Sequence, residues 1–189
     1  MSTRLVILDR DGVINEDSDG FIRCGAQWQA IDGSLEAIAL LVRHGFTVTV
    51  ASNQSGLARG HFDLAALNDI HGTMVAAVEA AGGRIDRIVF CPHGPGEGCD
   101  CRKPAPGLLL QLAEHYGVSL HDIPFIGDSL RDLTAARSVG ARGILVRSGK
   151  GRVTEEALQG SVAEVEVFDD LLQATQRLVA EHQQHGVSS

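Results

Sequence analysis

LVILDRDG, residues 5–12, is the segment from which the assignment of this chain starts. Its four consecutive apolar residues are typical of a strand buried on both faces of a parallel sheet. Asp9 and Asp11 follow at the strand's exit, and residues two apart in extended backbone point the same way. We therefore expect both carboxylates at one small site, where a cation would hold one of them, because two like charges that close cannot both stay ionised cheaply. The alternative is a plain surface turn, since Asp-Gly is common in turns.

Length and composition indicate one ordinary globular domain. The chain has 189 residues, of which 44% are hydrophobic and 21% charged, and this suffices for a well-buried core. The net charge of −8 and the pI near 5.4 argue against a protein that holds nucleic acid by its general field. No apolar run approaches the about 18 residues of a membrane span, and the chain enters a strand without a leader. We expect a cytoplasmic monomer that binds neither nucleic acid nor membrane.

Strand-like and helix-like segments alternate along the chain, which predicts a parallel sheet covered by helices on both faces. The expected fold is a Rossmann-like three-layer α/β sandwich, with one domain over 1–185 and a frayed tail at 186–189. Helices are expected from the caps at Asp32–Ser34 to Gly45 and at about 63–81, 106–116, 130–139 and 169–184. Strands are expected at 5–8, 46–51, 84–90, 123–126 and 143–146, with a weaker one at 165–168.

Polar side chains cluster just after several of these strands. Because ligands bind at the carboxyl edge of open α/β sheets, residues scattered in the sequence are expected to converge there. Taken singly each has an ordinary explanation, such as a turn cap, an acid at a helix start or a solvated lysine. The residues in question are Asp9, Asp11, Ser52, Cys91, His93, Lys103 and Asp128.

Together these groups have the chemistry needed for phosphoryl transfer. Asp9 and Asp128 would supply carboxylates to Mg²⁺, which usually takes one or two of them and keeps much of its water. Ser52 would bring a hydroxyl and Lys103 a compact positive charge to the phosphoryl oxygens. With Asp9 as a carboxylate nucleophile, Asp11 would protonate the departing alcohol and later take a proton from the attacking water.

A separate cluster of cysteines lies in the loop at 91–101. Three sulfurs and one imidazole within this segment complete a tetrahedral Zn²⁺ set with no position left for water, which predicts a structural ion. The alternative is a group of free or paired thiols. Since Arg102 and Lys103 follow directly, a fixed loop would also position both cations, whereas Cys24 is expected to be a plain thiol. The four predicted ligands are Cys91, His93, Cys99 and Cys101.

The order of these motifs resembles that of the haloacid dehalogenase superfamily of phosphatases. The matching elements are DxDG at 9–12, Ser52, Lys103-Pro104 and GDxxxD at 127–132, and they extend over nearly the whole chain. Two longer runs, SNQSGLARG at 52–60 and the segment 91–104, resemble the heptose bisphosphate phosphatases of the route to ADP-heptose and their relatives, the histidinol-phosphate phosphatases. Serine stands at 52 where many members have threonine, and at 129 where some have lysine.

The resemblance implies a haloacid dehalogenase fold and hydrolysis of the 7-phosphate of D-glycero-D-manno-heptose 1,7-bisphosphate through an aspartyl phosphate, on the way to the lipopolysaccharide core. Asp9 would be the nucleophile and Asp11 the general acid and base, with Ser52 and Lys103 stabilising the phosphoryl group. Asp9, the Asp11 carbonyl and Asp128 would surround Mg²⁺. The residues implied to line the substrate are Asp17, Ser18, Asp19, Gly20, Ser52, Asn53, Gln54, Ser55, Arg102, Lys103 and Ser129.

Loop lengths indicate an uncapped site, since neither 15–29 nor 56–62 is long enough to fold as an inserted domain. A sugar bisphosphate carries a second phosphate that histidinol phosphate lacks, and Arg59, Arg102, Arg147 and Lys150 are candidates to hold it. The competing functions are a histidinol-phosphate phosphatase, a polynucleotide 3′-phosphatase and, in another class, a receiver-like phosphoryl switch. The first-strand position of Asp9 and the Cys/His loop argue against the switch, and the acidic charge balance argues against a polynucleotide substrate.

Overall fold

The computed structural model describes residues 4–18, 20–158 and 165–186. One six-stranded sheet has the order β3-β2-β1-β4-β5-β6, and each neighbouring pair is parallel. β1 therefore lies in the middle of the sheet, where the strand order reverses, and ligands bind at such a position in open α/β sheets. The strands are β1 (Arg4–Leu8), β2 (Phe46–Asn53), β3 (Arg87–Cys91), β4 (Pro124–Gly127), β5 (Arg142–Val146) and β6 (Glu166–Phe168).

Helices cover both faces of this sheet. Val6 and Leu8 pack into one buried cluster, which contains side chains of the first, second and sixth helices. Leu5 and Ile7 pack into the other, with side chains of the third and fourth helices. The alternation along β1 thus divides its apolar run between two cores, and the predicted three-layer fold is confirmed. The helices are α1 (Ser34–Arg43), α2 (Leu64–Ala80), α3 (Gly107–Tyr116), α4 (Leu130–Ser138), α5 (Gly151–Leu158) and α6 (Leu171–Gly186).

Several predicted boundaries were wrong. β2 continues through Ser52 and Asn53, and β3 begins only at Arg87. Gly186, predicted to lie in the tail, is the last residue of α6, whereas 187–189 lie outside the described residues. Helix α5 was missed. Its buried Thr154 donates a hydrogen bond to the Asp128 carbonyl at 2.9 Å, so a tertiary contact helps to hold this eight-residue helix.

The segments that could have carried a cap domain are short. Among the described residues between β1 and α1 there is one 3-10 turn, Gly25–Gln27, and 54–63 holds no helix or strand. The carboxyl edge of the sheet is therefore bordered by loops, as the sequence predicts. In the described part of the chain, no helix is both long and apolar enough to span a membrane.

An arginine joins the last two strands to the last helix. Arg142, on β5, donates to both carboxylate oxygens of Glu166 on β6, at 2.6 and 2.7 Å, and to those of Glu181 on α6, at 2.7 and 3.1 Å. Its side chain is 26% exposed. The hydrogen bonds from Arg142 lower the pKa of Glu181 although burial works in the opposite direction, so the ion pair stabilises the ionised form.

Replacing Arg142 by methionine is expected to lower the free energy of unfolding by about 1–2 kcal/mol at neutral pH, since charge-assisted hydrogen bonds are worth about that. Because the folded-state pKa of Glu181 is depressed, this stabilisation is present above the unfolded value and is lost as pH falls through the folded value. Urea unfolding at pH 7 and about pH 3 checks this.

Arg177→Met is the matched control. Arg177 pairs with the same Glu181 at 2.8 Å but is 57% exposed, and exposed helical pairs contribute only about 0.3–0.5 kcal/mol. Equal losses in the two variants would contradict the assigned role of Arg142.

Candidate active site

Lys103 is the centre of the polar cluster at the exit of β1. Its ammonium lies 2.9 Å from Asp9 Oδ1 and 2.7 Å from Asp132 Oδ1, and it donates to the Ala51 carbonyl at 2.8 Å. The side chain is 2% exposed. Burial works against the charged form, but Asp132 and Asp9 raise the pKa of Lys103. The lysine is therefore a fixed buried cation.

β2 holds the lysine's backbone as well as its side chain. Asn53, the last residue of β2, donates from Nδ2 to the Lys103 carbonyl at 3.0 Å, and its Oδ1 accepts from the Lys103 amide at 3.0 Å. This two-point contact joins residues 50 positions apart and fixes the loop that carries the cation.

Asp128 is held by the loop between β5 and α5. The Lys150 backbone amide donates to Asp128 Oδ2 at 2.8 Å, and Ser148 Oγ donates to the Gly12 carbonyl at 2.7 Å. A Cβ on Gly149, whose φ is +55°, would overlap Asp128 Oδ2 and lie 2.5 Å from Gly12 Cα. Only glycine fits where these backbones meet the carboxylate.

Three carboxylates approach one another closely enough to share a cation: Asp9, Asp128 and Asp132, each offering an oxygen within 4.8 Å of the others. Burial raises the pKa of Asp9 to about 8, and the negative charges of Asp132 and Asp128 add to this shift, while the positive charge of Lys103 opposes it. Burial also raises the pKa of Asp128 to about 6, against the Lys150 amide. Three acids face one ammonium here, and a hard divalent cation with oxygen ligands fits this donor set.

Asp11 has a different environment. Its Oδ1 accepts from Arg10 Nε at 3.0 Å, from Arg10 Nη2 at 2.9 Å and from Asn15 Nδ2 at 2.9 Å, while Oδ2 accepts from Gln54 Nε2 at 2.9 Å. Burial would raise the pKa of Asp11, but the charge of Arg10 and these hydrogen bonds lower it. The pKa of Asp9 is thus raised above its ordinary value, whereas that of Asp11 is lowered.

Asp9 and Asp11 were expected to point to one site because both would lie in extended strand backbone, and this reason was wrong. β1 ends at Leu8, so strand alternation does not orient the two carboxylates, although both border the same cavity. The third carboxylate close to Asp9 and Asp128 is that of Asp132, which lies in the GDxxxD motif but was not predicted to belong to this cluster. The role expected for the Asp11 carbonyl stays a prediction.

A cavity of about 290 Å³ opens at this edge, and most of the predicted site residues border it. Gly20 is not among its lining residues, and Asp19 lies outside the described residues. Ser129 borders the cavity, but its hydroxyl donates to Asp132 Oδ2 at 2.6 Å within the capping box of α4. The predicted residues that line it are Asp9, Asp11, Asp17, Ser18, Ser52, Asn53, Gln54, Ser55, Arg59, Arg102, Lys103, Asp128, Ser129 and Lys150.

Arginines gather at one part of the cavity wall. Arg59, Arg102 and Arg131 all border it, and burial followed by the charges of Arg131 and Arg59 lowers the pKa of Arg102. Sequence reasoning missed Arg131, which lies in the first turn of α4 next to Asp132. Cations this close favour an anion between them.

Arg147 is not part of this group, contrary to expectation. Its guanidinium binds Glu155 Oε2 at 2.7 Å and Asp169 Oδ1 at 2.7 Å, and it is not among the lining residues of the cavity. Lys150 does border the cavity, where its ammonium lies 2.6 Å from Asp17 Oδ2. The cationic residues could be identified from the sequence, but the carboxylates that pair with them could not.

The cysteine loop brings its four predicted ligands together. Cys101 Sγ lies 3.1 Å from Cys91 Sγ and 3.3 Å from His93 Nδ1, and Cys91 Sγ lies 3.7 Å from Cys99 Sγ. Ligands at the usual Zn–S distance would be about 3.8 Å apart at the corners of a tetrahedron. Burial raises the pKa of Cys101 to about 12, with the neighbouring thiols adding to the shift. The cluster thus has the ligand number and spacing of a tetrahedral site.

A parallel sheet of this order, with an aspartate at the exit of its central strand facing a buried lysine and further acids, is that of HAD-like hydrolases. The sequence model of the HAD-hydrolase-like family matches residues 100–174. Two curated relatives are named D-glycero-beta-D-manno-heptose-1,7-bisphosphate 7-phosphatase. That of Pseudomonas putida is 51% identical over 93% of this chain and 99% of its own, and that of Pseudomonas aeruginosa is 53% identical over 90% and 95%.

A solved structure agrees with these sequences. The D,D-heptose 1,7-bisphosphate phosphatase from B. bronchiseptica, complexed with magnesium and phosphate, superposes with a TM-score of 0.91 at 49% identity and covers 95% of this chain and 99% of that one. The chain belongs to the D-glycero-beta-D-manno-heptose-1,7-bisphosphate 7-phosphatase family.

Replacing Gly149 by alanine is expected to displace Asp128 and to lower phosphatase kcat/KM by at least about 100-fold, with a higher Mg²⁺ requirement. The reason is the overlap of the new Cβ with the Asp128 carboxylate. Steady-state kinetics against Mg²⁺ concentration measures both effects.

Gly140→Ala is the control for this variant. Gly140 also has a positive φ, +71°, but its Cβ would meet only His121 Cδ2 at 3.7 Å. Both variants carry the backbone strain of about 1 kcal/mol, so a similar loss of activity in both would exclude the specific effect on Asp128.

Proposed function

We propose that this protein hydrolyses the 7-phosphate of D-glycero-beta-D-manno-heptose 1,7-bisphosphate. The observation that carries the reaction class is the buried ion cluster of Asp9, Lys103 and Asp132 at the exit of the central strand. The relatives at 51% and 53% identity, which this chain matches over nearly their full length, supply the substrate.

In the proposed mechanism, Asp9 attacks the 7-phosphorus and the bond to the sugar oxygen breaks. The positive charge of Lys103 and the hydroxyl of Ser52 would stabilise the phosphoryl oxygens, over which negative charge is spread in the transition state. Asp11 gives its proton to the departing 7-hydroxyl. A water then attacks the aspartyl phosphate and Asp11 takes the proton from that water, which returns Asp9 and releases phosphate.

Asp9, Asp128 and Asp132 fit a magnesium ion by their chemistry, and the relative from B. bronchiseptica is described with magnesium. Mg²⁺ bound there would supply positive charge to the phosphoryl oxygens. It would also favour the ionised, nucleophilic form of Asp9, whose pKa burial otherwise raises.

The second phosphate of the substrate has a candidate site in the three arginines Arg59, Arg102 and Arg131 at the cavity wall. A bisphosphate offers an anion to this group while its other phosphate lies at Asp9. Histidinol phosphate has an ammonium group instead, which the same arginines would repel.

We also propose that Zn²⁺ occupies the cluster of Cys91, His93, Cys99 and Cys101. Its role would be structural, since the four ligands leave no open position. The Arg102 guanidinium donates to the His93 carbonyl at 3.2 Å, so a fixed loop also positions this cation. A thiolate set of this kind persists in a reducing compartment, which agrees with the cytoplasmic location expected from sequence. The monomeric state stays a prediction, which light scattering would test.

The substrate assignment predicts that kcat/KM for the beta bisphosphate exceeds that for the alpha anomer and that for histidinol phosphate, and that activity requires Mg²⁺. Asp9→Asn is expected to reduce turnover by more than about 1,000-fold, while the fold is kept because the amide replaces a carboxyl whose neutral form burial already favours.

Steady-state kinetics on the three substrates, with thermal unfolding of the variant, measures these effects. Preference for histidinol phosphate would overturn the proposed substrate, and substantial turnover by Asp9→Asn would remove Asp9 as nucleophile.

The zinc assignment predicts about one zinc per chain by elemental analysis. Cys101→Ser should lose the metal and most activity, because Arg102 and Lys103 directly follow this residue. Cys24→Ser, a thiol outside the cluster, should keep both. Metal-free wild-type protein with full activity would contradict the proposal.

A further inference from the structure

Gln54 borders the active-site cavity, and its amide forms hydrogen bonds with three other side chains. The residue is 4% exposed. Its Oε1 accepts from Arg10 Nη2 at 3.1 Å, and its Nε2 donates to Asp11 Oδ2 at 2.9 Å and to Ser52 Oγ at 2.7 Å. Every polar atom of the amide is therefore occupied by protein, although resemblance alone implies that this residue lines the substrate.

The chemistry of its neighbours fixes which way the amide points. A guanidinium has donors only, so the atom that faces Arg10 must be the carbonyl oxygen. In the unliganded site the ionised Asp11 carboxylate has acceptors only, so the atom that faces it is the NH₂ group, and Arg10 keeps this orientation when Asp11 is protonated. The reversed amide would set a donor against the Arg10 donor, which is buried, and an acceptor against the Asp11 acceptor, which is partly buried. The orientation of Gln54 follows from its two charged partners.

This orientation decides the direction of the Ser52 hydroxyl. Gln54 Nε2 supplies a hydrogen to Ser52 Oγ, so the Ser52 hydrogen cannot point back at the amide. Among the hydrogen bonds of the described residues, Ser52 Oγ makes no other. Since Ser52 borders the cavity, its hydrogen is left for an acceptor there, and the acceptor that the proposed function supplies is a phosphoryl oxygen.

We propose that Gln54 is a positioning residue that, oriented by Arg10 and Asp11, keeps Ser52 a donor to the transferred phosphoryl group. It acts through Ser52 and does not contact the sugar. The inference rests on the proposed function for the identity of the phosphate ester, but the hydrogen-bond polarity concerns only the phosphoryl group.

Gln54→Glu tests this with almost no change of shape. The introduced carboxylate has no donor, so Ser52 would turn its hydrogen toward it and away from the phosphoryl group, and Asp11 would face a like charge. Loss of one transition-state donor reduces kcat by about 100-fold, and we expect that loss with KM changed by less than about three-fold. Gln54→Met removes the hydrogen bonds without adding charge and should lose less kcat. It replaces Gln54→Glu in this test if the charged variant does not fold.

The coupling to Ser52 gives a readout that a general loss of structure would not produce. In a Ser52→Ala background, Gln54→Met should reduce kcat by less than about three-fold, because the hydroxyl it orients is gone. Gln111→Glu, an exposed glutamine on α3, is the control and should leave kcat and KM unchanged. Losses that multiply, or a raised KM for the sugar with unchanged kcat, would overturn the inference.

Each variant should be assayed on both the heptose bisphosphate and p-nitrophenyl phosphate. The kcat loss should occur with both, since they share only the phosphoryl group. If the wild-type enzyme hydrolyses p-nitrophenyl phosphate but not the heptose bisphosphate, the proposed substrate is rejected, while the aryl ester still tests the role of Gln54. A loss confined to the sugar would identify Gln54 as a sugar contact and reject the inference.

Discussion

The buried ammonium of Lys103 is the interaction on which the site depends. Its three donors are all used, on Asp9, on Asp132 and on the Ala51 carbonyl. The partners lie at the exit of β1, in the first turn of α4 and on β2. A buried ammonium is several kcal/mol unfavourable unless it is paired, so this lysine requires all three segments in place. Residues from four parts of the chain therefore converge through one ion cluster.

The loop that carries Lys103 has little apolar content, and other contacts hold it. Asn53 binds both backbone groups of the lysine, and the Cys/His cluster ends two residues before it. The same segment also brings Arg102 to the cavity wall. In the proposed function, phosphoryl binding and recognition of a second anion would thus depend on one short loop, so a structural metal ion beside it would matter to catalysis.

The sequence predicted the fold well because its signals are local and strong. The apolar run at 5–8, the polar residues at strand ends and the ligand spacing at 91–101 each report a backbone or chemical preference that survives in the structure. Pairing between side chains was not predictable in this way. Arg147 and Lys150 look alike in sequence, yet one is neutralised by Glu155 and Asp169 away from the cavity and the other borders it.

Tertiary constraints account for the remaining misses. Asp132 could be read as an ordinary acid at a helix start, and in the structure it both caps α4 and binds Lys103. Helix α5 has only eight residues, and a hydrogen bond from Thr154 to the Asp128 carbonyl helps to hold it. Gln54 was expected to line the substrate because it lies in a motif near the site. The motif does not show its burial or its hydrogen-bond partners, which depend on the three-dimensional structure.

In the unliganded protein, the protonation preferences of Asp9 and Asp11 are opposite to those that their proposed roles need. Burial favours the protonated form of Asp9, the proposed nucleophile, while Arg10, Asn15 and Gln54 favour the ionised form of Asp11, the proposed acid. Bound ligands would act in the other direction: a divalent cation beside Asp9 would lower its pKa, and a phosphate dianion near Asp11 would raise its pKa. The protonation states that the proposed mechanism needs would therefore be favoured by binding of the cation and of the phosphate ester together, which would activate the nucleophile in the loaded site.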